Sequence, residues 1–392
     1  MQLAEKNSPK LAAARFHEVA AKKSIDIAKA NYYPNVRVEA IDSGGFPGSS
    51  ALTEVNGLMD SPFRSNFSAG VVAQQTVWDF GRTIHDVKAT KHEAEYAYHD
   101  TRVSTYEVKQ LALKTFYECT YFKTQSDLWG RLAHESSIIT KEAQHFVNTG
   151  QRSIVDRYLS KAQTEEAYTA QAFFNEQLIN ATRELAVIMG VSDNSFSCPS
   201  LPVKLTSSLN PDMGFESSPY LARIIAGSKA AEERLQQQKS RFYPKIIAVA
   251  SAGQLTDVRL VKKQNYAVGI GVVLPIFDMH TSGEIQHASA ISSAKTHEIA
   301  ATKQYLGEMN TRYDVTIQAS KVRLQHLADE LTLANKAFSV AKKRYFSLEG
   351  ELIDLREAFR NLSRVETEIQ ETRTRLLQAS GSKALLNGSK GT

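Results

Sequence analysis

YYPNV, residues 32–36, returns as FYPKI at residues 242–246. Further upstream, Ser8-Pro9 and Ser218-Pro219 keep the same separation. A proline disfavours helix for the residue before it, so each aromatic-aromatic-proline ends a helix-like stretch, Pro9 to Asn31 and Pro219 to Arg241. The chain is read as a duplication, which has to be recognised before any single motif is weighed.

Working outward, both halves carry the same order of elements. Two strand-like segments follow each proline, about 35–43 and 66–80 in the first half and about 245–255 and 265–278 in the second. A long helical pattern without internal proline comes next, about 82–149 and about 282–348. Each is about 100 Å long if helical throughout. A breaker (148–153 and 347–352) leads into a shorter return helix, Asp156–Ile188 and Asp354–Leu377. The loop within the first strand pair is much longer than its counterpart, a length change that loops tolerate cheaply. Four segments result: a first repeat 1–189, a connector 190–217 rich in Pro, Ser and Asn, a second repeat 218–381, and a C-terminal tail 382–392. The expected fold is mainly α with a small antiparallel β part, a duplicated helix-strand-strand-long helix-short helix unit.

The strands alternate faces. One face of the last strand reads Tyr266, Val268, Ile270, Val272, Leu274, and Phe67 and Val71 lie on the corresponding face of the second. These are expected to face lipid. Each segment has the length of a tilted membrane strand, and aromatics gather at the ends (Tyr32, Tyr33, Trp78, Phe80, Phe242, Tyr243, Phe277), as in an interfacial girdle. A soluble sheet with its apolar face on a core is the competing reading. Against it, four strands are little sheet for 392 residues, and so long a helix has no compact core to lie on. Four strands cannot close a barrel, and an open edge in lipid leaves backbone groups unpaired, so the membrane reading requires several copies of the chain.

Duplicated halves, an aromatic-proline before each strand pair, Val77-Trp78-Asp79-Phe80-Gly81-Arg82 at the end of the first pair and Ile276-Phe277-Asp278 at the end of the second, and a glycine-containing helical tip together resemble the TolC-type outer-membrane efflux and type I secretion channel family. The resemblance implies a homotrimer, a twelve-stranded β-barrel in the outer membrane continuous with a long α-helical barrel crossing the periplasm. It implies an export duct that expels small molecules or secreted protein. The implied partners are a periplasmic adaptor, an inner-membrane ABC or proton-driven transporter, and outer-membrane lipid. By position, Tyr345, Asp156, Asp354 and Glu357 would form a periplasmic gate, and Gly150, Gln151, Arg152, Leu348, Glu349 and Gly350 would be adaptor-docking tips. Four departures from the family's pattern stand out: the second strand-pair ending lacks the Gly-Arg that follows Asp in the first, Glu357 stands where the family usually has Asp, and two tip positions differ. Leu348 stands where it has glycine, and Gly350 where it has an arginine of the closed-state latch. Independently, Asp354 and Glu357 share one helix face, and repeated by symmetry they would ring a pore with carboxylates that favour cations. Ordinary acids at a helix N-terminus are the plainer reading of the same pair.

Other classes fit less well. Net charge is +5 and spread along the chain, without the clustered cations and aromatics of a nucleic-acid binder. His85, His92 and His99 recur every seven residues, about 10 Å apart on a helix, too far to share one ion. Glu142 and His145 form a single Glu-x-x-His pair where a di-iron bundle needs two. The GIG at 269–271 precedes no phosphate-binding helix. No catalytic constellation, metal site or cofactor is expected. A soluble periplasmic coiled-coil scaffold or adaptor is the alternative, and a helical-bundle metalloenzyme the third. Cys119 and Cys198 have no metal spacing and read as two unpaired thiols. Residues 1–16 lack the apolar core of a signal peptide and read as helix interior. Either the chain is cytoplasmic or its numbering starts after a removed leader, and a lipid anchor would lie before Met1.

Overall fold

The computed structural model describes residues 1–43, 66–192, 196–201, 214–256 and 262–387. The long loop of the first strand pair, the tip of the second strand pair and much of the connector lie outside the described residues. So do the last residues of the tail and the side chain of Phe67. The elements run α1 (Gln2–Asn7), α2 (Pro9–Ala30), β1 (Asn35–Ser43), β2 (Asn66–Trp78), α3 (Arg82–Asn148), α4 (Ile154–Met189), α5 (Pro219–Lys239), β3 (Lys245–Thr256), β4 (Lys262–Val273), α6 (Met279–Phe346) and α7 (Leu352–Leu386). The chain is mostly helical with one small sheet.

Three sequence expectations are corrected. Residues 1–16 are not one helix: Ser8 is extended (ψ 118°) and separates α1 from α2, as the following Pro9 dictates. The last strand stops at Val273 rather than near 278. Pro275 cannot donate to a ladder, so Leu274 lies just beyond the strand. The two cysteines are not free thiols; Cys119 and Cys198 form a disulfide with their Cα atoms 5.9 Å apart. It fastens the connector to α3 within a small cluster that includes Ala181 and Leu185 of α4.

The chain divides into two compact units. One comprises residues 14–101 and 220–302, the other residues 1–13, 102–219 and 303–392. The first holds the sheet, antiparallel in the order β1-β2-β3-β4. The strand-to-helix corners show why the sequence reads Trp-Asp-Phe-Gly there. Asp79 Oδ2 accepts hydrogen bonds from the Thr83 amide (2.9 Å) and hydroxyl (2.5 Å), closing the start of α3. Phe80 and Gly81 turn the chain with φ of 51° and 93°, and the second value suits only glycine. At the other corner Asp278 caps α6 directly, accepting from the amides of His280 and Thr281 at 3.0 and 3.2 Å. The Gly-Arg pair missing from the second copy is therefore not needed there. In the same unit Arg234 forks onto Glu93 (2.9 Å to each oxygen) and also reaches Asp86, while His85 pairs with Glu233 at 2.6 Å and not with a histidine neighbour.

The second unit is packed by its return helices. Leu128, Leu132, Ile139 and Phe146 of α3 meet Tyr345 of α6 and Leu352, Leu355 and Phe359 of α7. Higher along α7, Val365 and Ile369 close on Leu327 of α6.

Candidate functional site

Two features carry the functional reading, one in each unit. In the sheet, the register separates the two faces cleanly. Val36, Ala73, Ala250 and Val268 form one cross-strand row, and Val38, Val71, Ala252 and Tyr266 form the next row on the same face. Every one of these is apolar, and Tyr266, Val268 and Ile270 are 86, 85 and 78 % exposed. Opposite runs the row Arg37, Val72, Ser251 and Ala267, flanked by Asn35, Gln74, Val249 and Gly269. Arg37 pairs with Glu39 on this side, and Val72 is only 2 % exposed. The face that carries Arg37, Gln74 and Ser251 is sheltered at its middle, where Val72 and Ser251 are buried, and the apolar face is bare at Val36, Val38, Tyr266, Val268 and Ile270. A soluble protein reverses that arrangement, because exposing a contiguous apolar face to water is unfavourable. Against hydrocarbon it is favourable. Of the residues expected to face lipid, Tyr266, Val268, Ile270, Val272 and Val71 fall on the bare face. Leu274 is exposed beyond the strand end.

The second feature is the pair of helical tips. In the first, the Gly150 amide bonds Val147 O (3.1 Å) and the Gln151 amide bonds Phe146 O (2.8 Å). These two bonds make a Schellman turn around a left-handed residue, Gly150 at φ 73°. In the second, Leu348 bonds Tyr345 O (3.1 Å) and Glu349 bonds Arg344 O (2.9 Å), with Leu348 left-handed at φ 64°. The same turn is built twice, and leucine holds the glycine's conformation at a steric cost of about 1–2 kcal/mol. Gly350, two residues on, is not the turn residue.

Arg152 binds the two tips together. Its guanidinium lies 5.2 Å from the Tyr345 ring centroid, donates to the Gly350 carbonyl and sits 3.6 Å from the Glu351 carboxylate. The Tyr345 hydroxyl donates to Asp156 Oδ2 at 3.2 Å. Burial and the adjacent Asp156 carboxylate push the Tyr345 phenol well above its usual range, so it stays a neutral donor. Asp156 lies in the first turn of α4, behind the Ser153 cap. Asp354 occupies the corresponding turn of α7. Asp354 and Glu357 are both exposed, one turn apart on the same side as Ile353 and away from the buried Leu355 and Phe359. Tyr345, Asp156 and Arg152 are thereby brought together, while Asp354 and Glu357 point outward from the protomer. Sequence reasoning had no signal for Arg152 as the residue that ties the tips; only the fold sets it on the Tyr345 ring.

A sheet with a bare apolar face, feeding long helices through capped corners, defines a membrane-inserted channel protein. The chain belongs to the outer membrane efflux protein family, whose sequence pattern matches residues 1–191 and 211–385. It is an outer-membrane export duct, and this membership favours the duct over a soluble coiled-coil scaffold. The fold is similar to that of the outer membrane protein VceC from Vibrio cholerae, at TM-score 0.86 and 15 % identity, over 100 % of this chain and 95 % of that one. It is similar also to the CmeC outer membrane channel of Campylobacter jejuni (TM-score 0.84, 15 % identity, 100 % and 85 % of the two chains). The open-state MtrE channel of Neisseria gonorrhoeae matches at TM-score 0.79 and 16 % identity, over 99 % and 88 %. Among curated proteins no sequence matches this chain significantly.

Proposed function

We propose that three copies of this chain close a twelve-stranded barrel in the outer membrane, and that their helices form a duct reaching through the periplasm. The observation that carries this is the bare apolar face of the sheet. The sheet's outer strands β1 and β4 have no second neighbour among the described residues, and an edge in hydrocarbon must be paired. Strands come four at a time, and eight fill their own interior with side chains, so twelve is the smallest number that leaves a passage. The Cys119–Cys198 disulfide suits an oxidising compartment such as the periplasm.

In this reading the tips dock a periplasmic adaptor, which links the duct to an inner-membrane ABC or proton-driven transporter. The contact residues are Gly150, Gln151, Arg152, Leu348, Glu349 and Gly350. The duct passes small molecules or secreted protein, with the choice of cargo resting in the inner-membrane pump. Tyr345 and Asp156 hold the two tips of a protomer in register, and Asp354 and Glu357 supply a carboxylate ring that favours cations. Replacing Asp354 and Glu357 together by alanine raises single-channel conductance in planar bilayers and lowers cation preference. Unchanged conductance and selectivity would reduce both acids to helix-dipole partners. Light scattering of the detergent-solubilised chain gives three chain masses; a detergent-free monomer would end the duct reading.

A further inference from the structure

Where the strands give way to the helices lies a cavity of about 360 Å³ whose lining belongs to a single compact unit. Arg82 at the start of α3, Arg241 just past α5 and Lys245 at the start of β3 bring three half-buried cations to it. The acids beside them are already engaged. Asp79 accepts from Thr83, and Asp278 from His280 and Thr281. Each thereby offsets the partial positive charge, about +0.5, of the helix start that it caps. Glu284 pairs with Arg241 and, at 3.3 Å, with His280, which also lines the cavity. Neither Arg82 nor Lys245 forms an ion pair among the described residues. Burial, and after it the charge of Arg82, draw the Arg241 guanidinium below its usual range, against the pull of Asp278. Capping the helices accounts for the aspartates. It does not account for three cations gathered around one space, two of them close enough to repel.

We propose that this cavity binds a phosphate group, held by Arg82, Arg241 and Lys245. A carboxylate offers two coplanar oxygens, which a single arginine fork satisfies, and it would leave the second guanidinium and the lysine unmatched. A phosphate directs its oxygens tetrahedrally, so cations approaching from different elements each meet one, and its charge relieves their mutual repulsion. The phosphate can come from two sources. One is a phospholipid headgroup, since the cavity adjoins the ends of strands whose other face is apolar and bare. The other is a phosphorylated solute. Lys245 pairs with Val273 on the side away from the bare face, which favours the solute. The site needs one protomer only and draws on neither the tips nor the acidic pair at 354 and 357.

The test is titration calorimetry of the full chain in a non-ionic detergent. Inorganic phosphate gives saturable binding with one site per chain, and chloride at matched ionic strength gives none. Arg82→Gln and Lys245→Gln each weaken phosphate binding about tenfold, the loss of one charge-assisted hydrogen bond. Lys23→Gln, a substitution on α2 outside the cavity, leaves it unchanged. Glycerol 3-phosphate and dioctanoyl phosphatidylglycerol then compete for the site, and the tighter competitor names the source, solute or headgroup. The proposal is overturned by a phosphate titration without saturation, by chloride binding equally well, by unchanged affinity in both cavity variants, or by the failure of both competitors. The comparison of phosphate with chloride needs no substitution, so it stands even if a variant fails to fold. Because the titration requires neither a pore nor three copies, its failure leaves the duct reading untouched.

Discussion

α4 and α7 each follow a long helix and its tip turn and are nearly equal in length, 36 and 35 residues, yet they bury different chemistry. α7 sinks Leu352, Leu355, Phe359, Leu362, Val365, Ile369 and Leu376 into its own unit. α4 buries mostly small and polar residues, Ser160, Gln163, Thr164, Ala167, Ala181 and Ala186, with Leu185 the one large aliphatic. Many large side chains of α4 are turned outward instead: Val155, Tyr158, Tyr168, Phe173, Ile179 and Val187 are exposed, whereas Ile353 is the only large hydrophobic of α7 exposed among the described residues. The two helices share a length and a place in the element order but not their packing. α7 anchors its hairpin inside the chain, and α4 leaves an apolar surface bare among the described residues, which fits the proposed trimer.

The largest effect that tests this contrast comes from truncating one ring on each helix. Phe359→Ala costs about 3–5 kcal/mol of protomer stability in chemical denaturation. Phe173→Ala costs under about 0.5 kcal/mol but shifts the trimer–monomer balance toward monomer in sedimentation. If Phe173→Ala destabilised the protomer as much as Phe359→Ala and left assembly intact, the contrast would fail. A smaller effect separates the tips. Arg152→Ala opens both turns by about 2 kcal/mol, read as faster hydrogen exchange at the Gln151 and Glu349 amides, because it removes a cation–π contact, a charge-assisted hydrogen bond and an ion pair together. Arg152→Lys restores less than half of this, since lysine lacks the planar fork. The smallest effect concerns the left-handed residues. A Cβ on Gly150 meets nothing within 4 Å, so Gly150→Ala costs only its backbone strain, about 1 kcal/mol. Leu348→Gly relieves the same strain and costs nothing overall in thermal unfolding. A clear loss on Leu348→Gly would mean that the leucine side chain, and not the turn, matters there.

Much of the fold was legible because its punctuation is local. Pro34 and Pro244 mark where helices give way to strands, and Asp79 and Asp278 mark where the long helices begin. The alternation in 266–272 predicted the exposed face. What escaped is non-local or goes against preference. Cys119 and Cys198 are separated by 79 positions, and no spacing rule joins them. Leucine rarely adopts a positive φ, so residue type alone did not point to Leu348 as the turn residue; only its alignment with the family's tip glycine did. Arg152 gains its role only once the α3–α4 and α6–α7 turns are packed together. Asp354 and Glu357 were visible as a pair on one face. Whether they gate a pore depends on neighbouring copies, which a single chain's pattern does not encode.

The central claim is that the apolar face of the sheet meets lipid and the opposite face does not. With Trp78 and Trp129 replaced by phenylalanine, a single tryptophan is placed at Ile270 or at Ala267, on opposite faces of β4, and the protein is reconstituted into brominated phosphatidylcholine. Strong quenching at 270 with weak quenching at 267 is the predicted result. Equal quenching at the two positions, or stronger quenching at 267, would contradict it.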